Sequence, residues 1–394
     1  MFYYYLLVHV YCIFIITFAA AMNITPEESI ITKPIAELTV IEKPRQAKYL
    51  TDDIAVISNQ QGCSIVDIKT NTEIKKISDI YDKHFDSQDI TIHKNRKEIA
   101  FCMYKQGVTV YGIEEDPDGT KKYNLKCIID DKDIRNHMFS SSAHTILLKC
   151  YDDAGRVYLK QHNYKNNDVR VYDIGLRHHV HSLACHPTEK IVCGINFDQD
   201  KLYCYSLEDY QSNNFYQEVL LPVSPGFCKY NSDGSLLATG NAKCIIILDP
   251  TKKWQEIAAF PSPTKEKDFG EEDFGRIMFY SHNVLATLPR HMGNKIFYWD
   301  IINQKKLTST TFSQEHSLLR DFSFSPDGTK VMITLENKCI ILPVPLEVMY
   351  EGDMQSALPF LLYAYNQLAV RHHIPEDILG YCKNILLEQF KRKR

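Results

Sequence analysis

The stretch FSFSPDGTKVMITLENKCIIL, residues 322–342, contains three short runs of apolar and β-branched residues separated by turn residues. Asp327-Gly328 lies between the first two runs, and a polar break at residues 336–338 precedes the third. Such runs are typical of β-strands, and Asp-Gly favours a two-residue hairpin turn with positive φ. The segment therefore predicts three strands joined by short turns.

The same pattern recurs along the chain. Residues 227–248, FCKYNSDGSLLATGNAKCIIIL, place Asp233-Gly234 in the same position and also continue into Lys-Cys-Ile-Ile. Five weaker copies begin at Tyr49, Ile90, Phe139, Leu183 and Ile277. The third strands of the seven copies are predicted to end 43–51 residues apart, at Asp67, Gly112, Gln161, Ser206, Asp249, Asp300 and Pro343. This period, with several short strands per copy, is typical of β-propeller blades and predicts an all-β, seven-bladed β-propeller over residues 31–347.

Two parts of the predicted ring need separate interpretation. In the third copy, residues 168–174 fit either a third or a fourth strand. The seventh copy supplies three strands before Pro343 and Pro345 break the pattern. Residues 31–43, ITKPIAELTVIEK, alternate apolar and polar side chains like a half-buried strand. We expect this amino-terminal strand to complete the last blade and remove an exposed sheet edge.

The motifs FSPDG at residues 324–328 and YWDI at residues 298–301 resemble those of the WD-repeat family. The resemblance covers about residues 31–345 and implies a ring closed by the amino-terminal strand. It indicates a divergent member, or a related propeller of the kind found in bacterial secreted proteins.

The resemblance also implies structural roles for single residues. In the WD-repeat family the blade-joining loop carries a His, which His181 and His316 match in this chain. The third strand ends in Trp-Asp, which Trp299 and Asp300 keep while the other blades lack the Trp. Together with the two Asp-Gly turns, these residues are predicted to be positions of the structural repeat.

The first 21 residues, MFYYYLLVHVYCIFIITFAAA, carry no charged side chain and end in three alanines. An apolar run before small residues is typical of a signal peptide, cleaved here after Ala21. An uncleaved membrane anchor is the alternative, since about 20 apolar residues also suffice to span a bilayer. Either interpretation predicts an exported protein, secreted or periplasmic, or held by its amino-terminal helix.

Beyond the propeller, residues 355–394 have apolar residues at helical spacing and predict two short amphipathic helices. The structural interpretation, with no role in binding, is a helical hairpin packed on the propeller. The second helix opens with IPEDIL, which resembles the start of an F-box helix at Ile374, Pro375, Ile378 and Leu379. That resemblance implies recruitment of a ubiquitin-ligase adaptor, so these four residues are a candidate partner helix.

Composition limits the classes of function. The net charge of −4 and the pI of about 6.4 indicate no general attraction to nucleic acid or to an anionic membrane. The twelve cysteines show no Cys-x-x-Cys spacing, so we expect free thiols that pack as small apolar groups. Residues 177–187 contain four histidines, but their spacing on a strand does not favour one metal site.

No catalytic, cofactor-binding or metal-binding residues are predicted. We expect a protein-interaction scaffold or adaptor with no catalysis of its own, acting as a monomer or within a hetero-complex. Its partners are expected to be proteins, not nucleic acid, with membrane contact only through an uncleaved amino-terminal helix. The alternative function is a propeller hydrolase or lyase with its active site in the central channel.

Overall fold

The computed structural model describes residues 30–349 except 33, 40, 60–61, 78–87, 104–106, 132, 142–143, 153, 155, 178–179, 197–199, 209–216, 224, 242–243, 262–273, 290–293, 313–318 and 346. The predicted signal peptide, His316 and the predicted tail helices, including Ile374, Pro375, Ile378 and Leu379, lie outside the described residues. The described residues form a seven-bladed β-propeller, which confirms the fold predicted from the repeats.

Blades one to four are four-stranded antiparallel sheets, numbered from the inner strand outward. Blade one contains β3 (Gln46–Tyr49), β4 (Ile54–Asn59), β5 (Gly62–Asp67) and β6 (Thr72–Lys76). Blade two contains β7 (Gln88–Ile92), β8 (Glu98–Met103), β9 (Gly107–Glu115) and β10 (Lys121–Ile129). Blade three contains β11 (Ile134–Phe139), β12 (Thr145–Tyr151), β13 (Arg156–Asn163) and β14 (Asp168–Arg177). Blade four contains β15 (Val180–Cys185), β16 (Ile191–Asn196), β17 (Lys201–Ser206) and β18 (Gln217–Leu220).

Blades five to seven continue the ring, and the last two also take up amino-terminal strands. Blade five contains β19 (Phe227–Tyr230), β20 (Leu237–Gly240), β21 (Cys244–Asp249) and β22 (Gln255–Pro261). Blade six contains β23 (Phe274–Phe279), β24 (Val284–Pro289), β25 (Lys295–Asp300), β26 (Lys305–Thr311) and β1 (Ile30–Ile31). Blade seven contains β27 (Leu319–Phe324), β28 (Lys330–Leu335), β29 (Cys339–Pro343) and β2 (Ala36–Leu38).

The amino-terminal strands close the ring. Strand β2 pairs antiparallel with β29, so the strand predicted within residues 31–43 does complete blade seven. Strand β1 pairs parallel with the outer strand of blade six, a contact that the sequence did not predict. The ambiguous residues of blade three belong to β14, which is its fourth strand.

The core is divided among the seven interfaces between neighbouring blades, and each interface holds one cluster of buried apolar side chains. Strand β21 shows how one strand serves two interfaces. Ile246 and Leu248 pack toward blade four, whereas Ile245 and Ile247 pack toward blade six. Because both faces of the sheet are buried, the strand is a continuous apolar run instead of an alternating one.

The hairpins that join the first and second strands, here called the inner loops, differ from the prediction at Asp233-Gly234 and Asp327-Gly328. Backbone hydrogen bonds from Asn231 N–H to Leu236 O and from Ser325 N–H to Lys330 O close loops of four residues, not two. The φ angle is positive at Gly234 (84°) and Gly328 (72°) but not at the preceding Asp. The reason is that each Asp accepts hydrogen bonds within its loop while Gly alone takes the left-handed conformation.

Candidate functional site

The described blades surround a central channel. It is lined by residues of the seven inner strands β3, β7, β11, β15, β19, β23 and β27 and has a volume of about 710 Å³. The inner loops follow directly on these strands, so Lys94, Arg96, Pro187 and Ser232 lie at the same end of the channel. We call this end, where the inner loops meet the cavity, the channel mouth.

In three inner loops, the residue just before the four loop residues shapes the loop with a hydrogen-bond acceptor on its side chain. His186 Nδ1 accepts the N–H of Glu189 at 2.9 Å, and Asn231 Oδ1 accepts that of Leu236 at 3.0 Å. Ser325 Oγ likewise accepts the N–H of Lys330 at 2.9 Å. Sequence reasoning missed His186, although aligning HPTEK with NSDGS and SPDGT would have placed it at this position.

The inner loops also bind one another around the ring. His186 Nε2 donates to the carbonyl oxygen of Gly234 in blade five at 3.1 Å, consistent with acceptance at its Nδ1. Tyr280 Oη donates to the carbonyl oxygen of Gly328 in blade seven at 2.9 Å. The N–H of Asp327 donates to Asp52 Oδ1 in blade one at 2.9 Å. The predicted Asp-Gly positions are therefore contacts between blades as well as turns.

The carboxylates of these turns are held within their own loops. Asp327 accepts hydrogen bonds from Ser325 Oγ at 2.6 Å and from the Thr329 N–H at 3.0 Å. Burial raises the pKa of Asp327, but these hydrogen bonds outweigh it and hold the pKa below its usual range. Asp233 accepts from Ser235 in the same way. Both carboxylates have a structural function in the loops.

Trp299 and Asp300 also have structural contacts. Trp299 Nε1 donates to Thr287 Oγ1 on the neighbouring strand at 3.0 Å. Asp300 accepts the backbone N–H of Asn303 at 2.9 Å and so caps the outer hairpin turn of blade six. His181 lies in β15, but its side chain and the whole of His316 are outside the described residues.

The described charged side chains that line the channel are mostly cationic. They comprise one carboxylate, Asp321, and five cations, Lys48, Lys94, Arg96, Lys229 and Arg276. Lys94, Arg96, Lys229 and Arg276 are exposed. The channel therefore concentrates positive charge in a chain whose net charge is −4.

Asp321 is 2% exposed and is held between two of these cations. Its Oδ2 lies 2.8 Å from Lys48 Nζ, and its Oδ1 lies 3.7 Å from Arg276 Nε. Burial raises the pKa of Asp321, but the charges of Lys48 and Arg276 outweigh it and lower the pKa overall. The carboxylate is therefore ionised at neutral pH, and it offsets one of the five cationic charges.

Comparison with models of known families found no match, and comparison with curated proteins found no similar sequence. Within the described residues, no group of three His, Cys, Asp or Glu side chains is arranged to hold a metal ion. No helix in that same part of the chain is long and apolar enough to cross a membrane.

Proposed function

We propose that this propeller is a protein-interaction scaffold of the WD-repeat type, with no catalysis of its own, that binds an acidic segment of a partner in the central channel. The observation that carries the proposal is the excess of cations over carboxylates among the described channel side chains. The WD-repeat assignment is supported by the position of Trp299 and Asp300 at the end of β25, the third strand of blade six, and by ring closure through β2.

Physical reasons favour this function. A closed ring with a buried cluster at every blade interface presents a preorganised surface, so binding orders few further groups. Positive charge lining a channel attracts acidic partners and selects against basic ones. The attraction is expected to weaken as salt is added, because exposed charges are screened over about 10 Å at 0.1 M salt.

The experiment is affinity capture followed by mass spectrometry, comparing the natural chain with the double variant Lys94→Glu and Lys229→Glu. The matched control is Lys165→Glu with Lys305→Glu, which makes the same charge change at two exposed lysines on outer hairpins. All three proteins are first shown to unfold at similar temperatures. We expect the natural chain and the control to retain the same partners, the channel variant to lose them, and salt to reduce retention.

The same capture tests the candidate partner helix. A chain stopped after Met349 lacks residues 355–394 but keeps the seven blades and the buried Val348 and Met349. If the tail recruits an adaptor, that protein is lost from the shortened chain while partners of the channel remain.

Partner sets that are identical for the natural chain and the channel variant would contradict the proposed site. Within the described residues, no observation favours the alternative hydrolase or lyase.

We also infer from the first 21 residues that the chain is exported. Sequencing the amino terminus of the mature protein distinguishes cleavage after Ala21 from an uncleaved anchor.

A further inference from the structure

Two cysteines of blade four face each other across neighbouring strands. Cys193 on β16 lies directly opposite Cys204 on β17 in the strand register. Their Sγ atoms are 3.0 Å apart, and both side chains are completely buried. This separation is shorter than the 3.5–4.0 Å or so at which even the smaller carbon atoms pack without a bond.

The backbone at this position suits a covalent link. The N–H of Leu207 donates to the carbonyl oxygen of Lys190 at 2.7 Å, which makes these two residues a hydrogen-bonded pair at the end of β16 and β17. Hydrogen-bonded and non-hydrogen-bonded pairs alternate along an antiparallel ladder, and the register here is unbroken. Cys193 lies three residues after Lys190, and Cys204 lies three residues before Leu207. The alternation therefore makes Cys193 and Cys204 a non-hydrogen-bonded pair. The Cα atoms of such pairs are about 4.5 Å apart, within the range of about 4.4–6.8 Å that disulfides span.

Once blades four and five have packed together, the surroundings shield the two thiols from oxidants. Tyr230 Oη lies 3.0 Å from Cys193 Sγ, and Cys228 Sγ lies 3.6 Å from the carbonyl oxygen of Cys193. Burial raises the pKa of the Cys193 thiol, and the neighbouring Cys204 raises it further. Because the thiolate is the reactive form, the folded protein reacts slowly, and a bond is made most readily before blades four and five pack together.

We propose that Cys193 and Cys204 form a cross-strand disulfide when the chain folds in the presence of a disulfide oxidant. The oxidant is a small-molecule disulfide such as oxidised glutathione, or the disulfide of an oxidoreductase. One cysteine thiolate attacks the oxidant to give a mixed disulfide and release one thiol. The second thiolate attacks the mixed disulfide, forms the Cys193–Cys204 bond and releases the second thiol. The two protein thiol protons end on the two released thiols, and the oxidant takes up the two electrons.

The test is to refold the denatured full chain in a mixture of oxidised and reduced glutathione, block remaining thiols, and map peptides without reduction. Cleavage after Lys and Glu separates peptide 191–201, with Cys193, from peptide 202–208, with Cys204, and from the peptide holding Cys228. We expect the first two peptides to be linked, with a mass about 2 Da below the sum of the two free peptides. Blocked Cys193 and Cys204, or a link from Cys193 to Cys228, would overturn the proposal.

Variants provide a second readout. Cys204→Ala should abolish the link, whereas Cys150→Ala should keep it, because Cys150 is equally buried but has Ile134 and Tyr158 opposite it. The oxidised natural chain should melt several degrees above its reduced form, and this difference should vanish in Cys204→Ala. An undiminished difference in that variant would count against the Cys193–Cys204 bond. If a variant does not fold, the peptide map of the natural chain decides alone.

Discussion

At the scale of single residues, Asp321 forms ion pairs with two cations of the channel. It is buried and pairs with Lys48, whose side chain is 17% exposed. Replacing Asp321 with Asn keeps the volume but leaves the partly buried ammonium of Lys48 without a counter-charge. We expect a loss of about 3–5 kcal/mol in the free energy of unfolding at pH 7, measured by urea denaturation. The control Asp168→Asn changes an exposed carboxylate and is expected to cost less than about 1 kcal/mol.

The same variant has a defined pH dependence. The folded-state pKa of Asp321 is lowered, so its contribution is complete above the unfolded pKa of about 3.9 and is lost as the pH falls through the folded value. The difference between the natural chain and Asp321→Asn should therefore shrink as the pH is lowered below about 4. A difference that grows on acidification would show that the carboxylate is not held ionised by its cations.

Gly234 offers a second test at this scale, because it combines a left-handed φ with a close approach. A Cβ atom at Gly234 would overlap the His186 ring, whereas one at Gly119 would meet nothing within 4 Å. Both glycines have a φ of 84°. We expect Gly119→Ala to cost about 1–2 kcal/mol from backbone conformation alone and Gly234→Ala to cost at least about 1 kcal/mol more. Equal losses in thermal or urea unfolding would mean that the contact with His186 contributes nothing.

At the scale of strands, the two amino-terminal strands have different importance. A chain that starts at residue 33 lacks β1 but keeps β2, whereas one that starts at residue 44 lacks both. Loss of β2 exposes the edge of β29 and removes Leu38, which is completely buried against blades seven and one. We expect the longer chain to stay monomeric and the shorter one to associate, because an exposed edge strand pairs with other chains. Size-exclusion chromatography with light scattering measures this, and two monomeric chains would contradict it.

Strands also show what the sequence predicts well. The seven copies and the closing strand were found because repeats, turns and period-two alternation are local signals. Five of the seven predicted ends of third strands, among them Asp67, Asp249 and Pro343, agree with the structure. The others extend two or three residues further, to Asn163 and Glu115. Strand β1 was missed because two residues are too few to show a period.

At the scale of the whole molecule, the candidate site could not be predicted from local patterns. Lys48, Lys229 and Arg276 belong to three blades, and only ring closure brings them to one cavity. The pairing of Cys193 with Cys204 likewise depends on the strand register, which a search for closely spaced cysteines does not consider. A site formed by residues far apart in sequence can be recognised only when the topology is known. The net charge of −4 therefore gave no indication of a cationic channel.

Ring closure has a consequence for biosynthesis. Strand β2 ends at Leu38, and its partner β29 begins at Cys339. Strand β2 is therefore synthesised early in translation and β29 late. Throughout elongation the nascent chain carries β2 without its partner, while blades one to six are being completed. A polypeptide released from the ribosome before residue 339 leaves β2 unpaired and blade seven incomplete. Closure of the ring is therefore a step that only a chain translated through blade seven can reach.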